Sequence, residues 1–175
     1  MAEKQTLSEH RDVEELSNEL TYRGYLMNRG KVRSLFQKIK IPEYLALHAI
    51  ASEGQKSVIY SGRTYLADLA EKMQLTIRQT SRVAGNLKEK GLVNWSHDGN
   101  GSEGTYVIIT ETGQKLLEEQ EQVLKKYYSK VIERFGKEDL IQVLQAMKQL
   151  ETVMNRTMEE MGLGDADDGN EELDD

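Results

Sequence analysis

The chain has 175 residues, no cysteine, three histidines and a formal net charge of -7, long enough for one core plus an appendage without disulfide or metal staples. The missing thiols exclude cysteine nucleophiles, disulfides and cysteine-ligated zinc, and His10, His48 and His97 lie too far apart in sequence to suggest a metal site. No apolar run reaches the roughly 20 residues of a membrane span, and MAEKQTLSEHRDVEEL has neither secretory nor transit character, so a soluble cytoplasmic protein is expected.

The acidity is concentrated at one end. Residues 159–175 hold nine acids and no base, which leaves the rest of the chain at +2. From Thr21 to Lys40 there are six bases and no acid, and from Gln55 to Ser96 seven bases against three acids. Two basic zones in an otherwise neutral or acidic chain fit one surface that meets a polyanion; solvated helix faces are the plainer reading. Residues 162–175 (GLGDADDGNEELDD) combine few apolar residues with dense like charge, which predicts a disordered tail. A tail that competes with DNA for the basic surface would reveal itself as tighter DNA binding after truncation at Gly162.

In chain order, residues 1–10 read as an N-terminal extension. Val13, Leu16, Leu20 and Met27, followed by Val32, Leu35, Phe36 and Ile39, predict one long helix with an interruption near Gly30. IPEYLALHAIAS places Pro42 in the first turn of the next helix, where its missing N–H costs nothing, with Tyr44, Leu47 and Ile50 facing inward. Val58, Ile59 and Tyr60 read as a short strand or a loop. YLADLAEKMQL then sets Leu66, Leu69, Ala70 and Met73 on one helical face.

Thr76 followed by Gln79 is a capping-box signature, and Gly91 after Lys90 is a helix stop. Between them, Ile77, Thr80, Val83, Ala84 and Leu87 gather on a predicted core side. Arg78, Arg82, Gly85 and Glu89 gather opposite, flanked by Gln79, Ser81 and Asn86. Arginine can grip guanine or phosphate, and glutamine or asparagine can read adenine. LVNWSH and TYVIIT flank the turn-rich DGNGSEG and predict a hairpin. Helix, helix and two-stranded hairpin is the order of a winged helix-turn-helix.

Apolar stripes from Thr112 to Phe135 and from Glu138 to Met161 exceed what so small a domain needs for its own cover. They predict helices that pair with a second copy of the chain. The fold class expected is mainly α (α+β), with a winged helix-turn-helix domain over 41–111. The segments 11–40 and 112–161 form a helical dimerisation region beside it. No Ser/His/Asp arrangement or nucleotide loop stands out, and Asp68 with Glu71 reads as a solvated pair, so no enzyme and no cofactor are expected.

Over roughly residues 13–158 the chain resembles the MarR family of bacterial transcription regulators. The stretches IKIPEYLALHAI, LADLAEKMQLTIRQTSRVAGNLKEKGLV and IITETGQKLL carry the likeness, through the spacing of Leu69, Ala70, Leu75, Thr76, Leu87, Gly91, Val93, Thr110 and Gly113. The resemblance implies a homodimer that binds a pseudo-palindromic duplex. The helix from Thr76 to Lys90 would lie in the major groove, with Thr76 on phosphate and Arg78, Gln79, Ser81 and Arg82 toward bases or backbone. It also implies repression, relieved by a small amphipathic ligand at the junction of dimer helices and winged domain. Tyr22, Tyr25, Tyr44, Tyr127 and Tyr128 are candidates for lining a phenolic-ligand pocket or packing the core.

The wing departs from the family pattern, because HDGNGSEGTYVIIT has no lysine or arginine. His97, Asn100 and Ser102 remain as contacts to the DNA backbone, and the basic run from Arg23 to Lys40 offers compensation. A winged-helix protein-interaction module that has lost DNA binding is the alternative.

Overall fold

The first helix, α1, runs over Ala2–Asn28 and a 3₁₀ turn follows at Lys31–Leu35, in the computed structural model, which describes residues 2–56, 62–99 and 104–163. The single long helix expected through Ile39 is therefore broken after Asn28. The 3₁₀ turn allows Phe36 and Ile39 to turn into the core, where a continuing helix would have carried them past it. Next come α2 (Ile41–Lys56), β1 (Thr64–Tyr65), α3 (Leu66–Met73), α4 (Ile77–Glu89), β2 (Val93–His97), β3 (Thr105–Ile109), α5 (Glu111–Phe135) and α6 (Lys137–Glu160). The chain divides into two compact units, Met1–Val123 and Leu124–Asp175.

The core of the first unit is built by helical and strand periodicity acting together. Leu47 and Ile50 of α2, Leu69 of α3, Val83 and Leu87 of α4, Val93 of β2 and Val107 of β3 are fully enclosed. The predicted inward faces of α2 and α3 are thus in place, with Tyr44 and Met73 only half-buried. Ile77 departs from its expected place on the core side and stands in solvent, 52% exposed. It is the first helical residue of α4, so its side chain extends past the end of the packed layer that begins at Thr80.

The sheet has three strands in the order β1-β3-β2, all antiparallel, where a two-stranded hairpin was expected. β1 is two residues long, too short for an alternation to register, and pairs Thr64 with Val107 and Tyr65 with Tyr106. Trp95 pairs with Val107 and His97 with Thr105 across β2 and β3. The candidate strand at Val58–Tyr60 lies outside the described residues.

Thr110 fastens the sheet to α5. Its Oγ1 accepts from the Gly113 N–H at 3.0 Å and donates to the Gly91 carbonyl at 2.7 Å, while its N–H donates to the Leu92 carbonyl. A Cβ on Gly113 would sit 2.1 Å from that Leu92 oxygen, so only glycine admits this approach. In the second unit, α6 follows Gly136, whose φ of 102° suits a residue without a Cβ. No residue of α6 is buried, and Leu144, Met147, Leu150, Met154 and Met158 lie open along it.

Candidate nucleic-acid interface

α3 and α4 meet at a tight turn. Gln74 adopts a left-handed conformation (φ 54°) and closes α3 with its N–H on the Ala70 and Glu71 carbonyls. Two residues later the capping box forms as the sequence predicts. Thr76 Oγ1 accepts from the Gln79 N–H at 3.1 Å, and Gln79 Oε1 accepts from the Thr76 N–H at 2.9 Å. At its other end α4 stops at Lys90, and Gly91 takes the left-handed φ of 70°.

Packing of Thr80, Val83, Ala84 and Leu87 fixes the rotation of α4 and turns its opposite side outward. Arg78, Arg82 and Asn86 are exposed there, and Ser81 and Gln79 are half-buried. Neither Arg78 nor Arg82 has an ion pair among the described residues, so both guanidinium groups face solvent with their donors open. Thr76 and Gln79 are committed otherwise. The Thr76 hydroxyl sits 3.2 Å from Gln79 Oε1, so the glutamine carbonyl is held by the cap and a two-pronged grip on adenine would require the cap to open. Gly85 has nothing within 4 Å of where a Cβ would stand, so no internal contact demands glycine there. With Lys88, Glu89 and Trp95 it borders a shallow depression between α4 and β2.

His97 is exposed at the end of β2, with Nδ1 3.3 Å from Thr105 Oγ1. Asn100 and Ser102 lie outside the described residues. Of the basic run before α2, Arg23 pairs with Glu19 at 2.6 Å and Lys38 with Glu119 at 2.7 Å.

The geometry also assembles groups that periodicity did not single out. Glu43, 3% exposed, accepts from the Lys40 N–H at 3.2 Å and from Lys90 Nζ at 2.5 Å, tying the start of α2 to the end of α4. At the wing root the Arg63 guanidinium lies over the Tyr106 ring, 4.5 Å from its centroid. Beside it the Tyr65 hydroxyl donates to Asp98 at 3.0 Å, and that bond, aided by burial, raises the phenol above its ordinary value. The only hint of either cluster in the sequence is an acid three residues after a lysine, Lys40 and Glu43, at a helix start.

A cavity of about 320 Å³ opens between the segment after α1 and the first half of α5. Leu35, Leu116 and Val123 give it apolar walls, and Ser34, Gln37, Lys38, Glu119 and Gln120 give it polar ones. Gln120 is buried and donates to the Leu35 carbonyl at 3.0 Å. None of the five tyrosines named above lines this cavity. Tyr44 stacks on Phe36 instead, at 5.5 Å between centroids, and burial together with Glu121 raises its phenol above the usual range.

A two-helix reader flanked by a small sheet, with long helices before and after it, is a winged helix-turn-helix of the kind found in bacterial regulators. More narrowly, the chain has the MarR-type fold. S. aureus MepR, solved as a DNA complex, superposes with a TM-score of 0.63 at 17% identity, covering 79% of this chain and 97% of that one. A MarR family regulator from Neisseria meningitidis gives 0.60 at 19% identity, over 85% and 97%. PcaV from Streptomyces coelicolor, solved with its natural ligand, gives 0.60 at 13% identity, over 78% and 89%. No family model and no curated protein matches the sequence itself. Among the described residues no helix is long and apolar enough to cross a membrane.

Proposed function

We propose that this protein is a sequence-specific double-stranded DNA-binding transcriptional regulator of MarR type, a cytoplasmic homodimeric repressor released by a small molecule. The observation that carries the reading is the outer side of α4. Core packing on one side of the helix leaves Arg78 and Arg82 exposed and without an ion pair on the other, at the spacing of one helical turn. Guanidinium groups so placed present forked donors to guanine edges or to phosphates. In the helix-turn-helix arrangement the second helix is the one that enters the major groove. The MepR–DNA complex and the PcaV–ligand complex share this fold and support both halves of the reading.

The dimer is proposed from the apolar stripe along α6, which has no cover within the chain. The cavity beside Gln120 is the candidate effector site: it mixes apolar walls with the Lys38–Glu119 pair, which suits a small amphipathic molecule. Arg78, Arg82, Ser81 and Asn86 are proposed to meet DNA directly. Thr76 and Gln79 would chiefly fix the helix start, with the open end of α4 receiving a phosphate, and His97 would reach the backbone from the wing, where the sequence also puts Asn100.

The test is retention of a duplex from the protein's own upstream region as salt is raised. Affinity is expected to fall steeply, as counterion release requires. Arg78→Ala and Arg82→Ala are each expected to weaken binding by about 1–3 kcal/mol. Salt-insensitive binding, or full retention by the double variant, would rule the reading out.

A further inference from the structure

Ile77 is the one large apolar side chain exposed on α4. It is absent from the core cluster and from the residues packed against it, and its neighbours in the first turn are Thr76, Arg78 and Gln79. A β-branched residue is a middling helix former, so an open first-turn position gives it no advantage from propensity. Helical Cβ atoms tilt toward the N-terminus, which carries the Ile77 methyls to the leading end of the helix, past Thr80, the first buried residue.

On the reading proposed above, that leading end is the part of α4 that approaches base edges. The floor of the major groove has one apolar feature, the C5-methyl of thymine. The polar groups beside Ile77 are spent on the cap, because Thr76 and Gln79 hold each other, so Arg78 is left to make the charged contact. We propose that Ile77 is a specificity-determining residue that packs on a thymine methyl in each half-site, adding apolar readout to the guanidinium contacts of Arg78 and Arg82.

Uracil keeps every hydrogen-bonding group of thymine and lacks only the methyl, so it isolates this contact. A duplex is first recovered with the full-length protein from a randomised pool. Its thymines are then replaced by deoxyuridine one at a time, and affinities are measured for wild type and Ile77→Ala. At one thymine per half-site, wild type is expected to lose about fourfold, the worth of one buried methyl, while Ile77→Ala binds both duplexes equally. The variant should melt at the wild-type temperature, since the side chain is exposed. If alanine disturbs the helix start, Ile77→Val serves instead and should show a reduced penalty. Indifference to deoxyuridine at every position, or an undiminished penalty in the variants, overturns the inference and leaves the DNA-binding reading intact. Recovery of no duplex at all overturns both.

Discussion

Gly113 makes plain how a single residue carries part of a pattern. The spacing of Gly91, Thr110 and Gly113 is visible in the sequence, and the coordinates supply its cause: the Leu92 carbonyl lies where a Cβ would be, and Thr110 caps α5 against Gly91. Gly113→Ala must push α5 away from the sheet or break the bond from Thr110 N–H to Leu92. A loss of about 1–3 kcal/mol is expected, in the range of overpacked interiors, and chemical denaturation would measure it. At this scale the sequence also misleads. Ile77 has the apolar character and spacing of a core position, yet at the first turn nothing lies across from it. Periodicity states which side a residue is on and is silent about where the packed layer ends.

Between elements, the pair of Glu43 and Lys90 joins α2 to the reading helix. The carboxylate is almost fully enclosed while the ammonium is well exposed, with side-chain exposures of 4% and 42%. Removing the two partners should therefore have unequal effects. Lys90→Ala leaves a buried charge with only the Lys40 N–H beside it, whereas Glu43→Gln leaves a lysine that water can solvate and an amide that still accepts the Lys40 N–H. Lys90→Ala is expected to destabilise by about 1–3 kcal/mol, and Glu43→Gln by less, in thermal or urea unfolding. The reverse order would show that the bridge does not hold α4. Elements themselves were largely legible: the cap at Thr76, the stop at Gly91 and the two β-rich runs lie in local chemistry. β1 was not, since its two residues are a strand only because β3 lies alongside.

For the molecule as a whole, the exposed stripe of Leu144, Met147, Leu150, Met154 and Met158 on α6 is the feature that a lone chain does not explain. Scattered exposed apolar residues are ordinary, but a continuous stripe on a long helix marks an interface. Leu150→Arg, at the middle of that stripe, is expected to shift the protein toward monomer in sedimentation. It should also reduce operator retention, because a two-half-site duplex would then be held by one reader. A wild-type monomer at working concentration would remove the basis for a paired repressor.

By itself the sequence determined which segments are helices, where α4 begins and ends, and that the outer side of α4 is basic. These are matters of neighbours a few residues apart, where caps, turns and periodicity act. Only the tertiary structure decided that Gln79 is only half-buried while its carbonyl serves the cap, that Glu43 is enclosed, that Arg63 stacks on the wing root and that Ile77 stands in water. Each depends on what another element places opposite, and burial is set by that distant partner, which no local pattern encodes.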